Sequence, residues 1–309
     1  MLGPVLLAAS RSDRMRRVVA AAPVTRSVVR RFIAGDTLPT AMETVRALTA
    51  SGLAVTLDHL GEDVTDRATA LAARDAYLRL LETLGADGLG ARAEVSVKLS
   101  AFGQALPDGG HDIALENVRQ VAELATGTGT TVTLDMEDHT TVDSTLAILH
   151  ELRRDHPRTG AVLQSYLFRT ETDARDLAVA GSRVRLVKGA YDEPASVAFQ
   201  DRREVDRAYV RALRTLFQGD GYPMVGSHDP RMIAIAQELA ARNHRAADSY
   251  EFQMLYGIRT AEQRRLADEG MCMRIYVPYG ADWYGYFMRR LAERPANLAF
   301  FLRSFAPGS

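Results

Sequence analysis

The sequence predicts an α/β fold, a closed (βα)8 barrel of the TIM type, and three observations lead there. Eight short β-like runs alternate with helical stretches along the chain. Polar residues able to do chemistry stand at the C-terminal end of run after run, where such barrels carry their active sites. No sequence repeat and no Pro/Gly/Ser-rich linker cuts the 309 residues, so a single structural domain is expected.

The runs are LAVTLDHL (53–60), AEVSVKLS (93–100), TVTLDMED (131–138), AVLQSYL (161–167), VRLVKGAY (184–191), YPMVGSHD (222–229), YEFQMLYG (250–257) and MRIYVPYG (273–280). Most are rich in Val, Leu, Ile, Tyr or Thr, the residues a pleated surface favours. Between the second and third runs Val118, Val121, Ala122 and Ala125 keep the spacing of one helix face, and Met232, Ile235, Ala236 and Leu239 repeat it after the sixth. The interval 195–218 reads as a longer helix with a charged outer side.

Residues 1–52 do not fit the repeat and are expected as an N-terminal helical arm, with helices near 12–34 and 38–51, packed on a barrel spanning 53–309. After the eighth run, DWYGYFMRRLAER reads as a C-terminal helix over the barrel mouth. Pro295 then separates it from PANLAFFLRSF, because proline suits a helix start and not its interior.

Composition narrows the function. The hydrophobic fraction of 47% and charged fraction of 25% describe an ordinary globular chain. A net charge of −1, with acids and bases interleaved, gives no electrostatic reason to expect nucleic acid as a partner. A single cysteine, Cys272, excludes an internal disulfide and a cysteine metal cluster and fits a reducing compartment. The opening MLGPVLLAAS lacks the basic start of a signal peptide and the length of a span, so no transmembrane segment is expected.

The sharpest signal is the use of lysine. Of 38 Lys plus Arg residues only Lys98 and Lys188 are lysine, and both lie in apolar runs. A buried ammonium is costly unless paired. Its bland reading is a lysine snorkelling to the barrel mouth. Arginine carries the other positive charge, so a compact ammonium marks places where a planar guanidinium does not serve. The run ends further offer Asp58, Ser100, Asp135 with Glu137, Gln164, Tyr191, His228 with Asp229, Gln253 and Tyr276.

On the last helix Tyr286 precedes Arg289 and Arg290 by three and four residues, so the three share a face. Two guanidiniums there can grip one carboxylate, although a solvated basic helix end is the plainer alternative. DMED, His139 and the His228–Asp229 pair have metal-ligand chemistry, but no HxH or HExxH spacing, so no metal is expected. The glycines of LGADGLGAR precede a strand, the wrong context for a dinucleotide fingerprint.

Taken together, VSVKLS, TLDMED, QSYL, RLVKGAY, SHD, EFQMLYG, RIYVPYG and YFMRRLAE, in that order from about residue 53 to 294, resemble the FAD-dependent proline dehydrogenases in their single-activity bacterial form. The resemblance implies a distorted (βα)8 barrel, in agreement with the run count. It implies that Arg289 and Arg290 bind the proline carboxylate with Lys98 as a third cation. Tyr191, Leu255, Tyr276 and Tyr286 would shape the pocket against the flavin. Glu62 in LGED would pair with the first arginine and close the site, with Asp58 nearby. Asp135, Met136, Gln164, Arg185, Val187, Lys188, Gly189, Ala190, His228 and Glu293 match FAD-contacting positions. Asp192, Ser227 and Asp229 depart from the usual pattern, which touches the adenine side only.

The implied reaction oxidises L-proline to Δ1-pyrroline-5-carboxylate by hydride transfer to flavin N5, the first step of proline catabolism. On this reading Lys98 helps hold the carboxylate and biases the amine toward its neutral form, while Lys188 meets the flavin or its phosphates. Electrons would pass to a quinone, with peripheral contact to the cytoplasmic face of the inner membrane, and the product to a separate pyrroline-5-carboxylate dehydrogenase. LAFFLRSF is the one candidate membrane surface, though a core-packing helix reads equally well. Two rivals stand beside it: a Schiff-base lyase or aldolase using Lys98 or Lys188, and a non-catalytic amino-acid sensor on the same barrel.

Overall fold

The computed structural model describes residues 29–293. The expected helix over 12–34 falls largely outside them, as do Pro295 and LAFFLRSF. Among the described residues the first helix, α1, is Leu38–Ala50. Strand β1 is Ala54–His59, α2 is Arg67–Ala86, β2 is Ala93–Val97 and α3 is Gly110–Gly127. Next come β3 (Val132–Leu134), α4 (Val142–Asp155), β4 (Gly160–Gln164), α5 (Thr170–Leu177) and β5 (Arg183–Val187). The chain continues through α6 (Arg202–Gln218), β6 (Tyr222–Gly226), α7 (Pro230–Arg242), β7 (Glu251–Leu255), α8 (Thr260–Asp268), β8 (Met273–Tyr279) and α9 (Trp283–Glu293).

The eight strands form a closed parallel barrel in sequence order. Closure is made by β1 against β8, with Thr56 beside Tyr276 and Asp58 beside Pro278. Every predicted run contains a strand. Three helices start where an acid caps them: Asp66 accepts from Thr69 N, Asp201 from Arg203 N and Glu204 N, and Asp229 from Arg231 N ahead of Pro230. The Asp201 cap delays α6 to Arg202, later than the interval 195–218 indicated. Helix α7 buries Ile233 fully and Ile235 only partly, a small rotation from the expected face.

Successive strand residues alternate between helix and barrel interior. The helix-facing set is apolar: Val55, Leu57, Val95, Val97, Leu134, Leu163, Leu186, Val225, Phe252, Ile275 and Val277 belong to the main core. The opposite parity is polar: Thr56, Asp58, Glu94, Ser96, Gln164, Arg183, Arg185, Glu251, Gln253 and Arg274 are all buried. The barrel is therefore apolar outside its strands and charged within, which positions the site.

Helix α9 lies across the carboxyl end of the barrel. Its Tyr284, Phe287 and Met288 form a second core with Val29, Phe32, Ile33, Leu60 and Ile258. Residues before α1 clamp this arrangement: Ala34 N donates to Pro278 O and Gly280 N to Gly35 O. Gly257 is required at this clamp, since a Cβ there would sit 1.7 Å from Arg31 O. Among the described residues no helix is long and apolar enough to cross a membrane.

Candidate active site

One cavity of about 1190 Å³ opens at the carboxyl ends of the strands. Asp58, Lys98, Asp135, Met136, Gln164, Arg185, Val187, Lys188, Gly189, Ala190, Tyr191, His228, Leu255, Tyr276, Tyr286 and Arg290 all line it. Sequence reasoning thus gathered positions from all eight strand ends and α9 onto a single surface. Glu62 stands outside that lining, in the loop after β1, close enough to act electrostatically on Lys98. Arg289 and Glu293 fall on α9, but their side chains lie outside the described residues.

At the floor, Asp135 is the hub. It accepts from Arg185 Nη1 (2.7 Å), Ser96 Oγ (2.7 Å) and Tyr276 Oη (2.7 Å). Lys98 Nζ reaches Asp58 at 2.8 Å and Asp135 at 3.9 Å. Burial works against the Lys98 charge, yet Asp58 and then Asp135 outweigh it and hold the ammonium well above the usual lysine range. Tyr276 is pushed far up by burial and by Asp135, so its phenol keeps its proton and donates it. The Arg185 guanidinium stacks 5.3 Å from the Tyr276 ring centroid.

Both lysines line the cavity and are also ion-paired within the fold, Lys98 to Asp58. Lys188 at the rim is held by Asp206 (2.5 Å) and Asp229 (3.0 Å), which also bind Arg231. The reason is that a charge leaving water must be neutralised within the fold before any ligand arrives. Asp229, set down as an adenine-side departure, is a helix cap and a lysine partner at once.

Beneath the floor lies a network that sequence reasoning missed. Glu94 accepts from Arg183 Nη2 (2.6 Å) and Thr56 Oγ1 (2.8 Å) and faces Arg185 at 3.4 Å. Glu251 takes two bonds from Arg274. With the floor included, four cations (Lys98, Arg183, Arg185, Arg274) meet four carboxylates (Asp58, Glu94, Asp135, Glu251), so the barrel interior is neutral. Burial raises the Glu94 carboxyl, but Arg183, Arg274 and Arg185 together hold it well below the usual range. The overlooked signal was parity: Glu94, Arg183, Glu251 and Arg274 fall an even number of residues before Lys98, Arg185, Leu255 and Tyr276, on the inward face.

Other residues frame the cavity. His228 Nε2 accepts from Leu255 N at 3.0 Å, tying β6 to β7 in the tautomer that carries its proton on Nδ1. His139 binds Glu193 rather than the DMED acids. Gly189 has φ +116, and a Cβ there would lie 2.4 Å from the Tyr166 ring. That ring is pinned by Tyr166 Oη donating to Gln164 Oε1 at 3.1 Å. Gly189→Ala therefore distorts the wall, and we expect it to cost about 1–3 kcal/mol of stability; urea unfolding measures it.

Glu137, 6% exposed, sits behind the floor with its carboxyl pushed up to about 7, chiefly by burial and against two hydrogen bonds from Ser100. An acid raised from 4.5 stabilises the fold fully below that value and loses the contribution as pH rises through about 7. The unfolding free energy of wild type minus that of Glu137→Gln should accordingly fall by about 2–3 kcal/mol between pH 5 and 8 in urea titrations. A flat difference would remove Glu137 from this role.

A charged barrel mouth overhung by an aromatic and arginine-bearing helix defines a (βα)8-barrel enzyme. The chain belongs to the proline dehydrogenase family, whose model, described as proline dehydrogenase, matches residues 41–303. It is 40% identical over 279 residues to proline dehydrogenase 1 of Bacillus subtilis strain 168, covering 90% of this chain and 91% of that one. It is also 40% identical over 286 residues to proline dehydrogenase of Deinococcus radiodurans, with 91% of each covered. The solved proline utilization A (PutA) from Bdellovibrio bacteriovorus, inactivated by N-propargylglycine, superposes with a TM-score of 0.81 at 25% identity, over 92% of this chain and 34% of that one. The chain thus spans 91% of each of the first two relatives and 34% of the PutA chain.

Proposed function

We propose that the chain oxidises L-proline to Δ1-pyrroline-5-carboxylate with FAD held in the barrel mouth. One observation carries the reading: Arg290, its guanidinium 5.1 Å from the Tyr286 ring centroid, overhangs the same cavity whose floor presents Lys98, Asp135 and Tyr276. A cation stacked on an aromatic face is pre-oriented to take a small carboxylate, while the tyrosines give a ring something flat to lie on.

The cavity suits a flavin dinucleotide. Its volume of about 1190 Å³ exceeds what a drug-sized ligand needs. Arg185 Nε, buried at the cavity edge, has no hydrogen-bond partner among the described residues, and an acceptor on a bound group would satisfy it. Gln164, Arg185, Val187, Lys188, Gly189, Ala190 and His228 would hold the cofactor, with Asp135 and Met136 beside it. When bound, FAD supplies the acceptor for the hydride that leaves the ring carbon next to nitrogen.

The protein's own contribution is orientation. Arg290, with Arg289, fixes the carboxylate; Tyr276, Tyr286, Leu255 and Tyr191 pack the ring and exclude water. Tyr276 keeps its proton on the phenol oxygen, committed to Asp135, so it is a wall and not a base. The substrate amine must give up its proton to solvent before hydride leaves the adjacent carbon. A Schiff-base nucleophile must be a neutral amine, and Lys98, fixed as ammonium by Asp58, is unsuited to it.

Glu62, beside Lys98, closes the mouth against Arg289. Electrons would leave the site for a quinone at the cytoplasmic face of the inner membrane, and the cyclic imine would pass to a separate pyrroline-5-carboxylate dehydrogenase. Proline-dependent dye reduction, with the imine trapped by an aromatic aminoaldehyde, tests the reaction. Dye reduction without trapped imine, or borohydride-stable adducts on lysine, would overturn it.

A further inference from the structure

The loop after β1, which carries Glu62, is not held by its own conformation. Asp63 adopts φ +56, a left-handed backbone that non-glycine residues enter only at a cost. Ser100, in the short 3-10 turn Leu99–Phe102 just after Lys98, is bonded to this loop twice. The Asp63 N–H donates to Ser100 Oγ at 3.2 Å, and the Val64 N–H to the Ser100 carbonyl at 3.4 Å.

Ser100 is in turn gripped from behind. Its N–H donates to Glu137 Oε2 at 3.0 Å and its hydroxyl to Glu137 Oε1 at 2.6 Å. One hydroxyl thus gives its proton to Glu137 and accepts from the loop, a directional relay from the β3 end to residue 63. The Glu137 carbonyl also receives Gln164 Nε2 at 2.7 Å, which ties the relay to a strand end of the cavity floor. Ser100 and Glu137 do not line the cavity, so neither is placed to touch a ligand.

We propose that Glu137 and Ser100 latch the β1–α2 loop so that Glu62 stands beside Lys98, making both positioning residues for substrate binding. This rests on the proline-oxidising reading above. It predicts that loosening the latch weakens substrate retention while leaving the chemical step and the cofactor in place.

The test compares wild-type holoenzyme with Ser100→Ala, which deletes the bridging hydroxyl, and Ser100→Thr, which restores it. Hydrogen exchange over residues 60–66 should quicken about tenfold in the Ala variant and return toward wild type in the Thr variant. The KM for L-proline should rise about 3- to 10-fold with kcat within about twofold and flavin content unchanged, again rescued by Thr. Unchanged exchange in the Ala variant overturns the latch. Faster exchange with an unchanged KM, or a fall in kcat and flavin content instead, overturns its role in positioning. A wild-type chain inactive with proline would sink the proposed function, and the exchange pattern would still decide the latch.

Discussion

Arg290→Met raises the KM for L-proline about 100-fold, lowers kcat far less, and leaves the flavin bound. The magnitude follows from losing charge-assisted hydrogen bonds to a carboxylate in a partly buried site, about 3 kcal/mol, at about 1.4 kcal/mol per tenfold. Methionine keeps the length and apolar bulk of the side chain, so packing against Tyr286 and α9 is largely retained. Steady-state kinetics at saturating electron acceptor measure the effect. A KM within about twofold of wild type would take Arg290 out of the carboxylate site.

The second large effect is structural. Glu94→Gln lowers the melting temperature by about 10 °C or prevents folding. Glu94 is 1% exposed and is bonded or close to Arg183, Arg185, Arg274, Thr56 and Thr131. An amide replaces one acceptor oxygen by a donor facing donors, and leaves the interior with an uncompensated positive charge. Removing one partner of a buried ion pair costs about 3–5 kcal/mol, and a degree shift of about 2–4 °C per kcal/mol holds for chains near this size. The Glu94 carboxyl is held below its unfolded value of 4.5, so its contribution is present above that pH and is lost as pH falls further. Wild type and variant should therefore converge in acid. Scanning calorimetry across pH checks both statements, and a shift under about 2 °C at pH 7 would contradict the neutral-interior account.

The strands were legible because apolar residues at every second position face the helices, and that pattern is local. Strand β3 is shorter than TVTLDMED indicates, since after Leu134 the chain turns to bring Asp135 over the floor and Glu137 to Ser100. The cavity-lining positions were legible because barrels display polar residues at strand ends and because the motifs resembled a family. Pairing was not. Lys98 and Asp58 are 40 residues apart, Arg185 and Glu94 91, and only the closed barrel brings them together. A sequence shows that a lysine is buried more readily than it shows which acid answers it. The same holds for Ser100, named among the run-end polar residues, whose two partners come from the loops after β1 and β3.

The most direct measurement is the visible spectrum of the purified, FAD-loaded chain before and after L-proline is added without oxygen. The account predicts a yellow protein whose flavin band bleaches on addition and recovers when an electron acceptor is supplied. A chain that takes up no flavin, or one whose flavin band stays unchanged with L-proline, would contradict it.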